Sequence, residues 1–132
     1  MDRVRASVIA CLLMGAVLAA AESGAFSPEQ ARHGEMLFGD KCAACHGNKL
    51  EGGQEAPPLK GEEFWSEWDQ KTARAIYSRI ISTMPPDSPG SLEEKEVIDI
   101  LAFVLRENGL PPGTRTIEHA GELNEIKLQR PR

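Results

Sequence analysis

The chain contains few aromatic residues and few cysteines for a domain that has to build its own core. Two Trp, one Tyr and four Phe make up 5% of the 132 residues, so little large apolar material is available for burial. Three cysteines cannot all pair with one another. Because a small domain with a small core is only marginally stable, we expect a further group to stabilise this fold.

Basic residues are in the minority. The 15 Lys and Arg are outnumbered by 20 Asp and Glu, which gives a formal net charge of -5. An acidic protein is a poor candidate for binding a phosphate backbone, so we expect no nucleic acid partner. The apolar fraction of 41% and the charged fraction of 27% are ordinary for a globular protein and exclude a wholly disordered or fibrous chain.

The chain has a single long uncharged run, and it lies at the start. Residues 1–5 read MDRVR, and residues 6–21 carry no charge and end in three alanines. This pattern predicts a signal peptide at residues 1–21, cleaved after Ala21, with an uncleaved anchor as the alternative. No later segment reaches the roughly 20 apolar residues of a membrane span. We therefore expect residues 22–132 to be exported to the periplasm as a soluble domain with no stable membrane span.

Alternating apolar runs, which are typical of strands, are absent, so the sequence predicts an all-α fold. The first helix is expected to begin after Ser27, with Pro28 at its first position and Gln30 completing a capping box, and to end near Cys42. Residues 97–105 repeat apolar positions at helical spacing after a second capping box at residues 91–94. The other expected elements are a Gly- and Pro-rich loop at 47–61, helices at 62–68 and 72–82, a helix end at 108–109, and a polar tail at 114–132 after a domain core at 28–113.

One motif indicates the chemistry. Residues 42–46 read Cys-Ala-Ala-Cys-His, the C-x-x-C-H sequence that attaches haem of the c type. Residues three and four apart share a helix face, so the thiols of Cys42 and Cys45 can reach two vinyl groups of one porphyrin while His46 reaches the iron. One covalently bound haem c would also supply the apolar bulk that the aromatic residues do not provide.

Three other interpretations of the two cysteines remain open. They could form a thioredoxin-like redox pair, although the chain lacks the strand and helix alternation expected of that fold. They could bind zinc, but only His33 and His119 remain to complete the ligand set. They could also form a structural disulfide, which an exported protein permits.

Further residues extend the haem interpretation. Gly34, Phe38 and Cys42 are spaced four apart and form one stripe on the first helix. This stripe resembles the N-terminal helix of small monohaem cytochromes c, in which a glycine lets the C-terminal helix cross closely and an aromatic residue packs in the crossing. Phe103 is similar to the partner aromatic on the last helix of that family. The resemblance implies a single cytochrome c-like domain of about four helices around one haem.

The loop before the second half of the chain matches the same family. Residues 57–61 read Pro-Pro-Leu-Lys-Gly, which is similar to the family's P-x-L-x-G loop. The resemblance implies that the carbonyl of Pro57 accepts the Nδ1 proton of His46 and that Leu59 touches the haem. Pro58 offers an alternative register. Such a hydrogen bond would fix the imidazole ring and raise its basicity.

The second iron ligand is expected to be a methionine. Beyond the signal peptide only Met36 and Met84 are available. Met36 lies on the helix of the attachment cysteines and is expected to fill the core, whereas Met84, followed by proline, matches the axial methionine of the family. His46 and Met84 are therefore the expected iron ligands, with His33 and His119 as alternatives. A thioether favours ferrous iron and a filled sixth position excludes substrates, so we expect electron transfer and no catalytic residues.

The middle of the chain narrows the resemblance. Leu59, Gly61, Phe64, Trp68 and Thr72, with residues 83–85 and 108–113, form a pattern similar to the cytochromes c associated with quinoprotein (PQQ-dependent) alcohol dehydrogenases. The resemblance implies electrons passing from a periplasmic dehydrogenase on another chain towards a terminal oxidase or another cytochrome. Alternatives are a subunit held permanently in a larger oxidoreductase, and a sensor or peroxidase-like protein with an open or displaceable sixth site.

Two surface features accompany this middle segment. Trp68 or Lys71 could meet a haem propionate, and Trp68 is also a candidate for the wall of the haem pocket. Lys71, Arg74 and Arg79 place positive charge on an otherwise acidic protein. Such a face could orient a redox partner by charge complementarity, or it could simply be solvated surface.

Overall fold

The computed structural model describes residues 24–132, so the predicted signal peptide at residues 1–21 lies outside the described part of the chain. Residues 24–132 form helices and no strands, which confirms the predicted all-α fold. None of the helices in this range is long and apolar enough to cross a membrane. The α-helices are α1 (Pro28–Lys41), α2 (Ala43–His46), α3 (Glu62–Trp68), α4 (Ala73–Thr83) and α5 (Glu94–Glu107), and a 3₁₀ helix spans Ala120–Asn124.

Helix α1 begins as expected but with one difference at its cap. The Ser27 hydroxyl accepts a hydrogen bond of 3.2 Å from the backbone N–H of Gln30, and proline occupies the first turn. The side chain of Gln30 does not complete a capping box. It is buried, and its amide donates instead to Asp99 Oδ1 at 2.9 Å and to the carbonyl of Ile117 at 2.8 Å. Tertiary partners have replaced the local one that the sequence pattern suggested.

Helix α5 begins later than the sequence pattern suggested. Its N-cap is Glu93, whose side chain accepts from the third helical residue while the backbone N–H of Glu93 donates to Glu96 Oε2 at 3.0 Å. The capping box predicted at residues 91–94 is therefore wrong, because a glutamate two residues on supplies the same reciprocal pair. The helix ends at Glu107, with Asn108 as its C-cap.

Helices α1 and α5 cross at very short range. Gly34 is buried, and a Cβ added there would overlap the backbone carbonyl of Asp99 on α5. One turn further on, the rings of Phe38 and Phe103 pack with their centroids 5.2 Å apart. The glycine and the aromatic pair therefore stand in the positions that the resemblance to small monohaem cytochromes c implied.

The segment predicted as a polar tail packs onto the domain. Ile117, Leu123 and Leu128 are at most 1% exposed, although the residues between them are mostly polar. The backbone of Ile117 is held from both sides, since its N–H donates to Gln30 Oε1 at 3.0 Å and its carbonyl accepts from the same side chain. We call residues 114–132 the C-terminal strap.

The crossing predicts opposite effects for two glycines of α1. Gly34→Ala should lower the free energy of unfolding by about 2 kcal/mol or more, because the new methyl group overpacks a backbone contact. Gly39→Ala should raise it by about 1 kcal/mol, because a Cβ there meets nothing within 4 Å and alanine is the better helix former. Urea unfolding of both variants measures the difference. A Gly34→Ala protein as stable as the parent would contradict the close crossing.

Candidate haem site

A cavity of about 660 Å³ opens between the five α-helices and the loop at 55–59. This volume lies in the range that cofactor pockets occupy. Buried apolar side chains form its back, among them Phe38, Phe64 and Ile100. Seven of the residues that the sequence analysis put forward for haem contact line it: Cys42, Cys45, His46, Pro57, Leu59, Trp68 and Met84. Lys71, suggested as a partner for a haem propionate, is not in the lining.

The C-x-x-C-H motif forms a single helical turn. The backbone N–H groups of Cys45 and His46 both donate to the carbonyl of Cys42, at 3.2 and 3.0 Å. The turn therefore places all three side chains on the cavity wall. Cys42 is half-buried and Cys45 is exposed, and neither sulfur is paired in a disulfide.

The electrostatics of this turn argue against a redox-active dithiol. Burial raises the pKa of the Cys42 thiol to about 11, even though Lys41 works in the opposite direction. Reactive C-x-x-C pairs depend on a lowered thiol pKa, because the thiolate is the nucleophile. The absence of strands in the described residues removes the other support for a thioredoxin-like protein.

His46 is held by the loop that the sequence analysis assigned to it. The imidazole is buried, and its Nδ1 lies 3.0 Å from the carbonyl oxygen of Pro57. Because a carbonyl oxygen can only accept, Nδ1 must carry the proton in this contact. Nε2 then keeps its lone pair, which is the state required of a metal ligand.

Asn108 supports the same loop, a role that the sequence analysis missed, since it treated Asn108 as a helix end and as part of the family pattern at 108–113. Its side-chain amide donates to the carbonyls of Leu59 and Val104, both at 2.9 Å, and its Oδ1 accepts from the N–H of Gly61 at 3.1 Å. The residue is buried and ties the P-x-L-x-G loop to the end of α5. An asparagine at a helix end beside a glycine gives no local sign of these distant partners.

Met84 lines the cavity from the end of α4. It follows α4 directly, and its N–H donates to the carbonyl of Ile80 at 2.9 Å. The other ligand candidates lie elsewhere, since Met36, His33 and His119 are absent from the cavity lining. His33 instead contacts Asp99 Oδ2 through Nδ1 at 2.8 Å.

The expectation that Met36 fills the core is wrong. Its side chain is 63% exposed. The physical reason is its position on α1, since residue 36 falls midway between Gly34 and Phe38, which face α5. A residue two positions from each of these points to the opposite side of the helix.

Trp68 lies in the cavity wall, and two cationic side chains lie over its ring. Lys71 Nζ is 4.9 Å from the ring centroid and the Arg79 guanidinium carbon is 5.5 Å from it. Both cations also pair with Glu67, at 3.2 and 3.7 Å. The one carboxylate of Glu67 therefore offsets only part of the positive face that the sequence suggested, and Arg74 stacks on Tyr77 and keeps its charge.

A zinc site finds no support among residues 24–132, where no three His, Cys, Asp or Glu side chains come together as metal ligands. The residues do fit a haem. The cavity is large and apolar at its back. The thiols of Cys42 and Cys45 and the imidazole of His46 line it, and so does the thioether of Met84, which follows α4. These features define a c-type cytochrome domain.

Comparison with known proteins agrees with this class. The sequence model of the family described as cytochrome c oxidase, cbb3-type, subunit III matches residues 29–104, more than half of the chain, and the chain belongs to this family. The chain is 29% identical over 129 residues to the cbb3-type cytochrome c oxidase subunit CcoP of Rubrivivax gelatinosus, which covers 97% of this chain. It spans only 41% of that relative.

A solved structure shows the same fold. The sulfane dehydrogenase SoxCD from Paracoccus pantotrophus superimposes with a TM-score of 0.57 at 27% identity, covering 74% of this chain and 52% of the compared chain. The chain is thus a small monohaem cytochrome c domain that functions in electron transfer and binds haem c covalently. These relatives are an oxidase subunit and a sulfane dehydrogenase, so they give no specific support to a quinoprotein dehydrogenase as the partner.

The loop contacts predict a stabilising role for Asn108. Asn108→Asp should lower the free energy of unfolding by about 2 kcal/mol, because two buried carbonyls lose their donor. Asn124→Asp is the matched control, since that amide makes one exposed bond in the 3₁₀ helix and should change stability little. Urea unfolding followed by haem absorbance measures both. Equal stabilities of the two variants would count against the loop assignment.

Proposed function

We propose that this domain carries single electrons in the periplasm through one haem c attached to Cys42 and Cys45 and ligated by His46 and Met84. The observation that carries the proposal is that these four side chains line one cavity of about 660 Å³. When bound, haem c supplies an iron that alternates between the ferric and ferrous states.

The surrounding residues would fix the ligands rather than react. The carbonyl of Pro57 holds the Nδ1 proton of His46, which orients the ring and makes Nε2 a stronger donor. Leu59 and Trp68 line the same cavity and would contact the macrocycle. A thioether from Met84 is soft and neutral, so it would favour the ferrous state and raise the reduction potential. If His46 and Met84 both hold the iron, no ligand position would be left for a substrate, so the domain would transfer electrons without catalysing a reaction of its own.

The partners are proposed from the relatives and from the resemblance. One relative is named as an oxidase subunit and the other as a dehydrogenase, so both ends of an electron-transfer chain occur among them. We infer that this domain receives electrons from a periplasmic dehydrogenase, with a quinoprotein as one candidate, and passes them towards a terminal oxidase or another cytochrome.

A second arrangement is favoured by the lengths of the relatives. The chain spans 41% of CcoP and 52% of the SoxCD chain, so a domain of this kind is part of a longer polypeptide in each. The present domain would then act as an electron-transfer part of a larger oxidoreductase rather than as a free carrier. Gel filtration of a native periplasmic extract separates the two arrangements by co-elution with, or separation from, an oxidoreductase.

The ligand assignment predicts the behaviour of two methionine variants. Met84→Ala should lower the reduction potential by roughly 100 mV or more, since axial ligands set potentials over a span of about 0.8 V. It should also let carbon monoxide bind the reduced protein, with haem still attached in a denaturing gel. Met36→Ala is the control, because that side chain is exposed and outside the cavity. Redox titration of both proteins measures the effect, and an unchanged potential in Met84→Ala would overturn the assignment.

The partner proposal is tested by reduction assays. Purified ferric holoprotein is mixed with a quinoprotein alcohol dehydrogenase and alcohol, or with a sulfane dehydrogenase and its sulfur substrate, and haem reduction is followed by absorbance. We expect fast reduction by one donor and at least about tenfold slower reduction by the other, because specific docking controls the rate. Equal, slow reduction by both would refute a dehydrogenase donor of either kind. A cbb3-type oxidase then tests the acceptor side by reoxidation.

A further inference from the structure

The C-terminal strap pairs with the turn that joins α3 to α4. The N–H of Gln70 donates to the carbonyl of Leu128 and the N–H of Leu128 donates to the carbonyl of Lys71, both at 2.9 Å. The N–H of Ala73, the first residue of α4, donates to the carbonyl of Ile126 at 3.0 Å. These three bonds form a short antiparallel clamp on an otherwise helical domain.

The strap also reaches both ends of α3. The Arg130 guanidinium binds the two carboxylate oxygens of Glu62, the first residue of α3, at 2.9 and 3.0 Å. The N–H of Arg130 donates to Asp69 Oδ1, just after the helix, at 3.0 Å. The ion pair is exposed, so its main contribution is geometric rather than energetic.

Buried apolar side chains anchor this clamp. Leu128 and Leu123 are fully buried, and the 3₁₀ helix that contains Leu123 packs against α4. No residue of the strap lines the cavity. The strap therefore contacts the elements that build one cavity wall without contacting the cavity itself.

The clamped elements supply that wall and lead to Met84. Trp68 ends α3, Ile76 and Ile80 lie on α4, and all three line the cavity. Met84 caps α4 and is held to it by the bond to the Ile80 carbonyl. Helix α4, 11 residues long, therefore connects the clamped turn at its start to Met84 at its end, so the strap and Met84 are linked through one short helix.

We propose that the C-terminal strap positions the axial methionine, with Leu128 as the positioning residue that fixes the α3–α4 wall. This inference rests on the proposed ligation by Met84. Loosening the clamp would let α4 open locally, so that exogenous ligands gain access to the iron while haem attachment through Cys42 and Cys45 is unaffected.

The test compares two side-chain substitutions in the strap, each made in the full-length holoprotein. Leu128→Ala removes a fully buried side chain from the residue whose backbone pairs with the α3–α4 turn. Ile117→Ala removes an equally buried side chain, but one whose backbone is held by Gln30 on α1, away from the clamp. Both create a buried cavity of similar cost. Cyanide binding to the ferric protein, the Met–iron charge-transfer band, and amide hydrogen exchange of residues 73–83 are recorded for each.

We expect Leu128→Ala to bind cyanide at least about tenfold faster than the parent, with a weaker charge-transfer band and faster exchange in α4. The rate of cyanide binding to Ile117→Ala should stay within about twofold of the parent rate. If Leu128→Ala does not yield folded protein, Leu128→Val is compared with Ile117→Val instead. We then expect cyanide to bind about threefold faster to Leu128→Val than to Ile117→Val. Equal cyanide rates in the two truncations would overturn the positioning role.

The same measurements separate this inference from the ligation on which it rests. A parent protein that lacks the charge-transfer band and binds cyanide promptly would show that Met84 is not the ligand, and the proposed function would fail first. If the parent shows a clear charge-transfer band and the two variants bind cyanide at the same rate, the ligation by Met84 stands and only the positioning role of the strap is refuted.

Discussion

The close crossing of α1 and α5 is the contact on which the rest of the domain depends. Because residue 34 has no side chain, the backbone of α1 meets the Asp99 carbonyl of α5 directly. This approach brings Phe38 against Phe103 and turns Phe38, Ile100 and Val104 towards the cavity as its back wall. The end of α1 then delivers the C-x-x-C-H turn to the cavity edge, so the site is a consequence of the crossing.

A buried polar network accompanies this apolar contact. The carboxylate of Asp99 is almost inaccessible and receives Gln30 Nε2 at 2.9 Å, His33 Nδ1 at 2.8 Å and Lys95 Nζ at 3.2 Å. A buried carboxylate is tolerated only when its oxygens are satisfied in this way. Since Gln30 also holds the backbone of Ile117, the network joins α1, α5 and the C-terminal strap at one point.

Local spacing explains what the sequence could predict. The stripe of Gly34 and Phe38, the helical turn of the haem motif and the cap at Ser27 each involve residues within four positions, where helix geometry dictates the outcome. The hydrogen bond from His46 to Pro57 was accessible only through the resemblance to a family, because the two residues are 11 positions apart in an irregular loop.

Several features that the sequence analysis missed depend on distant partners. The side chain of Gln30 binds Asp99 and Ile117, 69 and 87 positions away, and does not complete the local capping box. Asn108 reaches back 49 positions to Leu59, and the strap was expected to be polar because its buried residues are too few and too widely spaced to form a periodic pattern. No periodicity encodes such pairings, so tertiary packing decides them.

The two proposed iron ligands are supported in different ways, and this asymmetry bears on function. His46 belongs to the turn that carries the cysteines, and its ring is bonded to a loop that Asn108 fastens to α5. Met84 follows α4, which packs against α5 and whose first residue is hydrogen-bonded to the strap. The histidine side is therefore supported by the loop at 55–59 and by Asn108, while the methionine side would, on the proposal above, depend on contacts made by the last residues of the chain. If the strap positions Met84 as proposed, changes in the strap would alter the methionine side without changing the attachment motif and would give different potentials on one scaffold.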